Sequence, residues 1–309
     1  MGVVLQVDVL INVFGKPCQT ALSLLSLLRH SGQRIDRIYF MEEAATAELE
    51  RKGHGALLAH LGERAVHSVP RHWLGVDPID PERLHRDREY FLSIRYQRGW
   101  EQSDKRFVLL VHNDIEVFDD VVGRLLDEIG EYAGAGQIGQ CWWCPAKSRG
   151  LCGPDRYAEF TPSYPYLMKI YSREIDPTKR RAYWQGLNEE FKARPWPLPE
   201  CRLNEWCALI NLETARPATM PHGTARPFGA HVDSGARIGS DNHPVILDTG
   251  VQWFRDMNHL GHRFKHVPLD SFLRHDFGNQ DLFDAEKYVR NELAAKRKLA
   301  EEYPDFRFN

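Results

Sequence analysis

Long apolar runs are missing from this sequence. No stretch approaches the ~20 residues that a helix needs to cross a bilayer, so no transmembrane segment is expected. The opening MGVVLQVDVLINVF has no basic start and carries Asp8 inside its apolar stretch, which excludes a secretory signal. Gln6 stands where Ser or Thr would be needed after Met-Gly, which argues against N-myristoylation. Excess positive charge is missing too. With 40 Lys+Arg against 43 Asp+Glu the formal net charge is −3, which gives no electrostatic reason to expect nucleic acid or an anionic membrane as partner. Internal repeats and low-complexity tracts are absent. Cysteine is scarce at first, with Cys18 alone before Cys141. Together these absences point to a cytoplasmic protein, one that works at the inner face of a membrane only as a peripheral visitor. In that reducing compartment structural disulfides are not expected.

The 309 residues suffice for one large domain or two modest ones. Over the first 120 residues, strand-like and helix-like patterns alternate. VVLQVDVLI (3–11) reads as a strand, NVFGKP as a turn broken by Gly15 and Pro17, and the leucine-rich TALSLLSLLRHS (20–31) as a well-buried helix. RIDRIYFMEE (34–43) is a second strand ending in two acids. A polar helix over 44–61, a short strand over 64–69 and one long aromatic helix over 82–100 follow, before the strand FVLLV (107–111). Alternation of this kind predicts an α/β fold with a mostly parallel sheet flanked by helices.

FVLLV is apolar throughout, as a strand covered on both faces must be, and it runs directly into HNDIEVF. In open α/β sheets ligands bind at the carboxyl ends of strands. If the chain stays extended there, Asp114 and Glu116 point the same way and could share a divalent cation. The other reading is a helix cap, with Asn113 or Asp114 capping a helix that starts near Phe118.

These segments, in this order, resemble the nucleotide-binding half of GT-A fold glycosyltransferases, especially the large family 2 group. The resemblance rests on LINVFGKPCQTALSLLSLL, on YFMEE, on HNDIEVF and on ILDTGVQWFRDMNHLGHRFKHVPLDSFLRHDFGN. It implies a GT-A type, Rossmann-like fold that moves a sugar from a nucleotide-diphosphate donor to a glycan or lipid-linked acceptor, with inversion and with Mn²⁺ or Mg²⁺ as cofactor. It also implies site residues. Asp114 and Glu116 would hold metal and diphosphate, His275 would be a third metal ligand or a phosphate contact, and Asn113 would lie against the donor. Phe14 would sit near the nucleobase, Glu42 or Glu43 would contact base or ribose, and Asp248 would be the general base. Where the family's first metal acid stands, this chain has His112 or Asn113, and the family's Glu-Asp base pair is Leu247-Asp248. A catalytically silent nucleotide-sugar or glycan-binding protein of the same fold is the alternative from another class. A sugar-nucleotide-forming enzyme is disfavoured, because NVFGKP carries one glycine where such enzymes carry a Gly-rich phosphate loop.

After residue 140 the texture changes, dividing the chain into a nucleotide-sugar half (1–140), an acceptor-side half (141–283) with an irregular Cys/Trp-rich insertion (141–207), and a charged helical tail (284–309). Cys141-x2-Cys144-x7-Cys152, followed by Cys201 and Cys207, resembles zinc spacing, and a structural Zn²⁺ on Cys141, Cys144, Cys152 and Cys201 would staple the insertion. Cys207, in EWCALINL, reads instead as a small core residue. Trp142, Trp143, Trp184, Trp196 and Trp206 include one or two candidates for stacking on a sugar, and Glu205 is a second carboxylate that could orient the acceptor. Segment 221–246 reads as a mobile loop. The tail reads as a solvated surface helix, or as a contact between two copies of the chain.

Overall fold

The structure, a computed structural model, describes residues 5–44, 47–139, 141, 144–173, 189–198, 201–238, 243–275 and 284–308. Its strands in chain order are β1 (Val7–Val13), β2 (Ile35–Glu42), β3 (Ala65–Ser68), β4 (Phe107–Val111), β5 (Glu116–Val117), β6 (Gly134–Ile138), β7 (Leu203–Asn211), β8 (Val232–Ile238), β9 (His243–Leu247), β10 (Phe264–His266) and β11 (Leu273–Arg274). Seven of them form one sheet in the order β10-β6-β7-β4-β1-β2-β3. All are parallel except β7, which runs antiparallel to both β4 and β6. The sheet draws strands from both sides of residue 140. It is the mostly parallel, helix-flanked α/β sheet that the alternating pattern predicts.

Why FVLLV lacks polar alternation is visible in its two neighbours. Phe107, Leu109 and Val111 pack with Val7, Val9, Ile11 and the leucines of the helix Pro17–Ser31 on one face. Val108 and Leu110 pack with Leu10, Tyr39, Ala208 and Ile210 on the other. Successive side chains of a strand point to opposite faces, so a strand covered on both must be apolar at every position. Asp8 is the fully buried polar exception within β1. It accepts from Ser103 Oγ at 2.6 Å and from the Arg37 amide at 3.1 Å, which satisfies a carboxylate whose pKa burial raises.

Three elements differ from expectation. The long aromatic helix over 82–100 is three short ones, Pro81–Arg86, Arg88–Leu92 and Gln97–Gln102. Asp80 and Asp87 each cap a new start, and Tyr96 takes a left-handed φ of 65°, which a continuous helix does not permit. Segment 221–246 contains the β8–β9 hairpin rather than only loop. The tail helix, Ala285–Glu302, is not merely solvated. Ala295 and Leu299 are buried against the helix Pro17–Ser31, and Glu292 accepts from the Cys18 and Gln19 amides at 2.8 and 3.0 Å, satisfying two of that helix's free N-terminal donors. Its outer face does remain exposed at Val289 and Leu293. Among the described residues no helix is long and apolar enough to cross a membrane.

The cysteines are placed as thiols. No disulfide joins any of the six. Cys144, Cys152 and Cys201 are buried in the apolar cluster with Tyr157 and Leu203. Cys152 Sγ lies 3.9 Å from its neighbour's carbonyl at Gly153, and Cys141 Sγ lies 4.0 Å from the Ile138 carbonyl. Among the described residues no three of the cysteines bring their sulfurs within mutual reach of one ion. Tyr157, Phe254 and Trp196 pack the insertion through their rings. Cys207 is fully buried on β7, as expected of a core residue. Trp142, Trp143 and Trp184 lie outside the described residues.

Candidate active site

The helix Pro17–Ser31 builds the site loop. Thr20, Ser23 and Ser26 form a polar stripe at three-residue spacing among its leucines, and all three are buried. Ser23 Oγ accepts from the Ile115 amide at 3.0 Å and donates toward the Ile115 carbonyl at 2.7 Å. Ser26 Oγ accepts from the Val117 amide at 3.0 Å, and Thr20 Oγ1 accepts from Asn113 Nδ2 at 3.2 Å. The loop after β4 is thus tied to the helix at three points and turns at Asn113–Asp114. That turn separates the two expected metal acids, since neighbours two apart share a direction only in extended chain. Asp114 faces the sheet end. Glu116, on β5, faces the tail helix and pairs with Lys298 and with Arg274 Nη2 at 3.0 Å. Asn113 is committed to Thr20, and the helix beyond begins at Val121 under Asp120, which accepts from the Gly123 amide at 2.9 Å.

β5 pairs antiparallel with β11, setting Arg274 opposite Glu116 and delivering His275 to Asp114. His275 Nε2 is 2.9 Å from Asp114 Oδ1, His112 Nδ1 is 3.5 Å from the same oxygen, and the two ring nitrogens are 3.3 Å apart. His275 also stacks on Trp206, with centroids 5.7 Å apart and planes 14° from parallel. Residues 276–278 of the expected His-x-x-Gly lie outside the described residues. A divalent ion with ligand distances near 2.1 Å spaces its ligands about 3.0–3.4 Å apart along a polyhedron edge. The three atoms converge at that spacing, and two imidazoles with one carboxylate suit Mn²⁺ or a related ion. The set is His112, Asp114 and His275, with His112 in place of Glu116.

Lys16 completes the Asp114 environment, its Nζ 2.8 Å from Oδ2. Gly15 and Lys16 both adopt left-handed backbone, φ 62° and 55°. A Cβ at Gly15 would lie 2.8 Å from Glu50 Oε1, the end of a side chain that can swing aside, so it is the positive φ that favours glycine there. Burial alone would raise the Asp114 pKa, but His112, His275 and Lys16 hold it well below the ordinary carboxylate range. Burial likewise pushes His112 down, and its bonds to Asp114 and Glu205 outweigh that and lift it to about 9.

From His112 a line of alternating charge crosses to Asp248. His112 Nε2 is 3.6 Å from Glu205 Oε1, Arg202 Nη2 is 3.2 Å from that oxygen, and Arg202 Nη1 donates to Asp248 Oδ2 at 2.7 Å. His231 Nε2 is 3.3 Å from Asp248 Oδ1. Arg202 and Glu205 flank the start of β7, whose antiparallel direction brings its amino end to the carboxyl ends of β1 and β4. Asp248 follows β9, and its side chain is about half exposed (54%). Burial would raise its pKa, but Arg202 and His231 hold it well below the usual range, so it is ionised at neutral pH. Gly250, not Asp248, occupies the cap position of the helix Val251–His259, which leaves the carboxylate clear of that helix's amides. The buried Tyr96 phenol, pushed up by burial and by the charge of Glu205, completes the site wall.

The remaining expected donor residues divide. Phe14 stacks on the exposed Trp73, centroids 6.3 Å apart and planes 24° from parallel, giving an aromatic pair beyond the β1 turn. Glu42 is enclosed by His54 at 3.3 Å, His67 at 3.0 Å and Arg51 at 3.5 Å, and His54 also holds the Gly15 carbonyl at 2.9 Å. Its carboxylate braces the β1 turn. Glu43 accepts from Asn12 Nδ2 at 2.9 Å and lies 3.6 Å from Arg95. Sequence reading missed Lys16, His112 as a convergent group, Trp73, Arg202 and His231. The Thr20/Ser23/Ser26 spacing inside a leucine helix was the one local signal, because hydroxyls so placed need partners.

No protein-family model matches the sequence, and no curated protein matches it. Among solved structures the chain is similar to the mannosyltransferase PcManGT from Pyrobaculum calidifontis in complex with GDP-Man and Mn²⁺, at 7% identity and TM-score 0.46, over 96% of this chain and 64% of that one. It is similar to the WbbM bifunctional glycosyltransferase in its apo structure, at 13% identity and TM-score 0.41, over 96% of this chain and 45% of that one. A third likeness is to S. aureus TarS 1–349, at 11% identity and TM-score 0.31, over 43% of this chain and 36% of that one. The chain spans less than two thirds of the length of each.

Proposed function

We propose that this protein is an inverting glycosyltransferase that uses a nucleoside-diphosphate sugar. The observation that carries the reading is the continuous charged line from Lys16 and Asp114 through His112, Glu205 and Arg202 to Asp248, which spans from a cation site to an ionised, half-exposed carboxylate. His112, Asp114 and His275 would hold a divalent ion, whose charge would stabilise the diphosphate as it leaves. Lys16 fixes Asp114 from the other side. Phe14 and Trp73 offer apolar faces to a nucleobase.

Asp248 takes the proton from the acceptor hydroxyl as that oxygen attacks the sugar carbon on the face opposite the diphosphate. Arg202 and His231 aim its carboxylate. The same partners lower its basicity, which restricts it to removing a proton as the new bond forms, when the hydroxyl has become acidic. One displacement inverts the anomeric centre and needs one base. The acceptor presents a hydroxyl, which is what this base can serve, and a glycan or a lipid-linked glycan would supply one.

Asp248→Asn tests the reading. With the donor nucleotide identified, kcat for transfer should fall about 10²–10⁴-fold, the usual contribution of a general base, while nucleotide affinity stays as in the wild type. Full turnover in Asp248→Asn would remove the base assignment.

A further inference from the structure

One oxygen in the charged line has no partner. Glu205 Oε1 meets Arg202 and His112, but Oε2 is buried with no hydrogen-bond donor. The side chain is 7% exposed, at the edge of the site between His112 and Arg202. A buried anionic oxygen left without a donor is costly. Its neighbours are already committed: Arg202 also holds Asp248 and the Thr249 carbonyl, and the amide of Asn204 is taken by the Gln137 and Gly139 carbonyls. A hydroxyl of a bound ligand would supply the missing donor.

We propose that Glu205 recognises a hydroxyl of the sugar being transferred, and that this sugar is neutral. The inference rests on the transferase reading above. In a displacement from the opposite face, the transferred group lies between the leaving diphosphate and the base. Glu205 occupies that interval, joined to the cation site through His112 and to Asp248 through Arg202. A sugar hydroxyl donates to a carboxylate, whereas a sugar carboxylate would be repelled by it. Glu205 and the nearby Asp248 therefore favour a neutral hexose or pentose over a uronate. This assigns Glu205 to the donor's sugar rather than to orienting the acceptor.

The test is titration calorimetry of wild type and Glu205→Gln with UDP, GDP and dTDP in the presence of Mn²⁺. For each nucleotide that binds, the neutral conjugates follow (UDP-glucose and UDP-galactose, GDP-mannose, dTDP-glucose), with UDP-glucuronate as the anionic contrast. In Glu205→Gln the Arg202 side keeps an amide carbonyl, and the sugar meets an NH₂ group in place of an acceptor. The advantage of the neutral conjugate over its bare diphosphate should fall about 10- to 100-fold, as for a hydrogen bond to a charged group. The affinity for the bare diphosphate should change far less than that for the conjugate, and the wild type should not prefer the uronate. Equal weakening of diphosphate and conjugate would make Glu205 a support for His112 and Arg202 only, and would overturn the inference. So would a conjugate advantage that survives in Glu205→Gln, a wild type that gains nothing from a neutral sugar, or one that prefers the uronate. If no nucleotide binds the wild type, the transferase reading itself fails.

Discussion

Replacing Ser23 by alanine removes one hydroxyl from the middle of the helix Pro17–Ser31 and touches no substrate. That hydroxyl accepts from the Ile115 amide and donates toward the Ile115 carbonyl, with the His112 carbonyl at 3.1 Å. Alanine has the higher helix propensity, so helix formation alone would favour the change by a few tenths of a kcal/mol. Against this, the Ile115 amide is left buried without an acceptor, which costs about 1–3 kcal/mol. The loss of the carbonyl bond adds about 1 kcal/mol. A net destabilisation of roughly 2–4 kcal/mol follows. At about 2.1 cal/mol/K of unfolding entropy per residue, the 309 residues give roughly 0.65 kcal/mol/K, so the melting temperature should drop by about 3–6 °C. Differential scanning calorimetry reads the shift. Ser26→Ala, which frees the Val117 amide and drops a bond to the Ser23 carbonyl within the same helix, should lose no more. A melting temperature for Ser23→Ala equal to the wild type would refute the idea that this serine holds the Asp114 loop.

Glu42 and Glu116 supply two more predictions. Hydrogen bonds from His54 and His67 hold the Glu42 carboxyl at about 2 against the burial that would raise it. A depressed carboxyl pKa stabilises the fold above its unfolded value, near 4.5, and that contribution is lost as pH falls toward 2. Up to about 3 kcal/mol should disappear in that window, and Glu42→Gln should flatten the acid limb of stability against pH measured by urea unfolding; an unchanged limb would count against it. Glu116→Gln leaves Lys298 and Arg274 without their anion and should cost about 1–3 kcal/mol. Because Glu116 faces away from the His112–Asp114–His275 group, Mn²⁺ affinity in the same variant should be unaltered, and a weakened ion would return Glu116 to the cation site.

Much of the scaffold was legible because its elements obey local rules. Alternating periods gave the sheet, the apolar FVLLV gave a doubly covered strand, and the acids after it marked the loop that carries Asp114. What the residue pattern hid were matters of direction and long-range pairing. Glu116 was placed beside Asp114 on the assumption of extended chain, and one turn at Asn113–Asp114 sends it elsewhere. Arg202 and His231 reach Asp248 across 46 and 17 residues of sequence, a closeness created only by the antiparallel course of β7 and by the β8–β9 hairpin. The cysteine spacing resembles a metal knuckle, and spacing alone says nothing of where thiols point; Cys144, Cys152 and Cys201 lie together in the apolar cluster, with Cys141 at its edge. The tail helix reads as charged by composition, while Ala295 and Leu299 lie on its one buried stripe and Glu292 caps its neighbour.

The most direct test of the cation and donor site is calorimetric titration of UDP, GDP and dTDP, each with and without Mn²⁺, on the wild type, Asp114→Asn and His275→Ala. One nucleotide should bind the wild type in a Mn²⁺-dependent manner, and both variants should lose the Mn²⁺-dependent part. Binding that ignores Mn²⁺, or that survives unchanged in both variants, would contradict a donor site built on His112, Asp114 and His275.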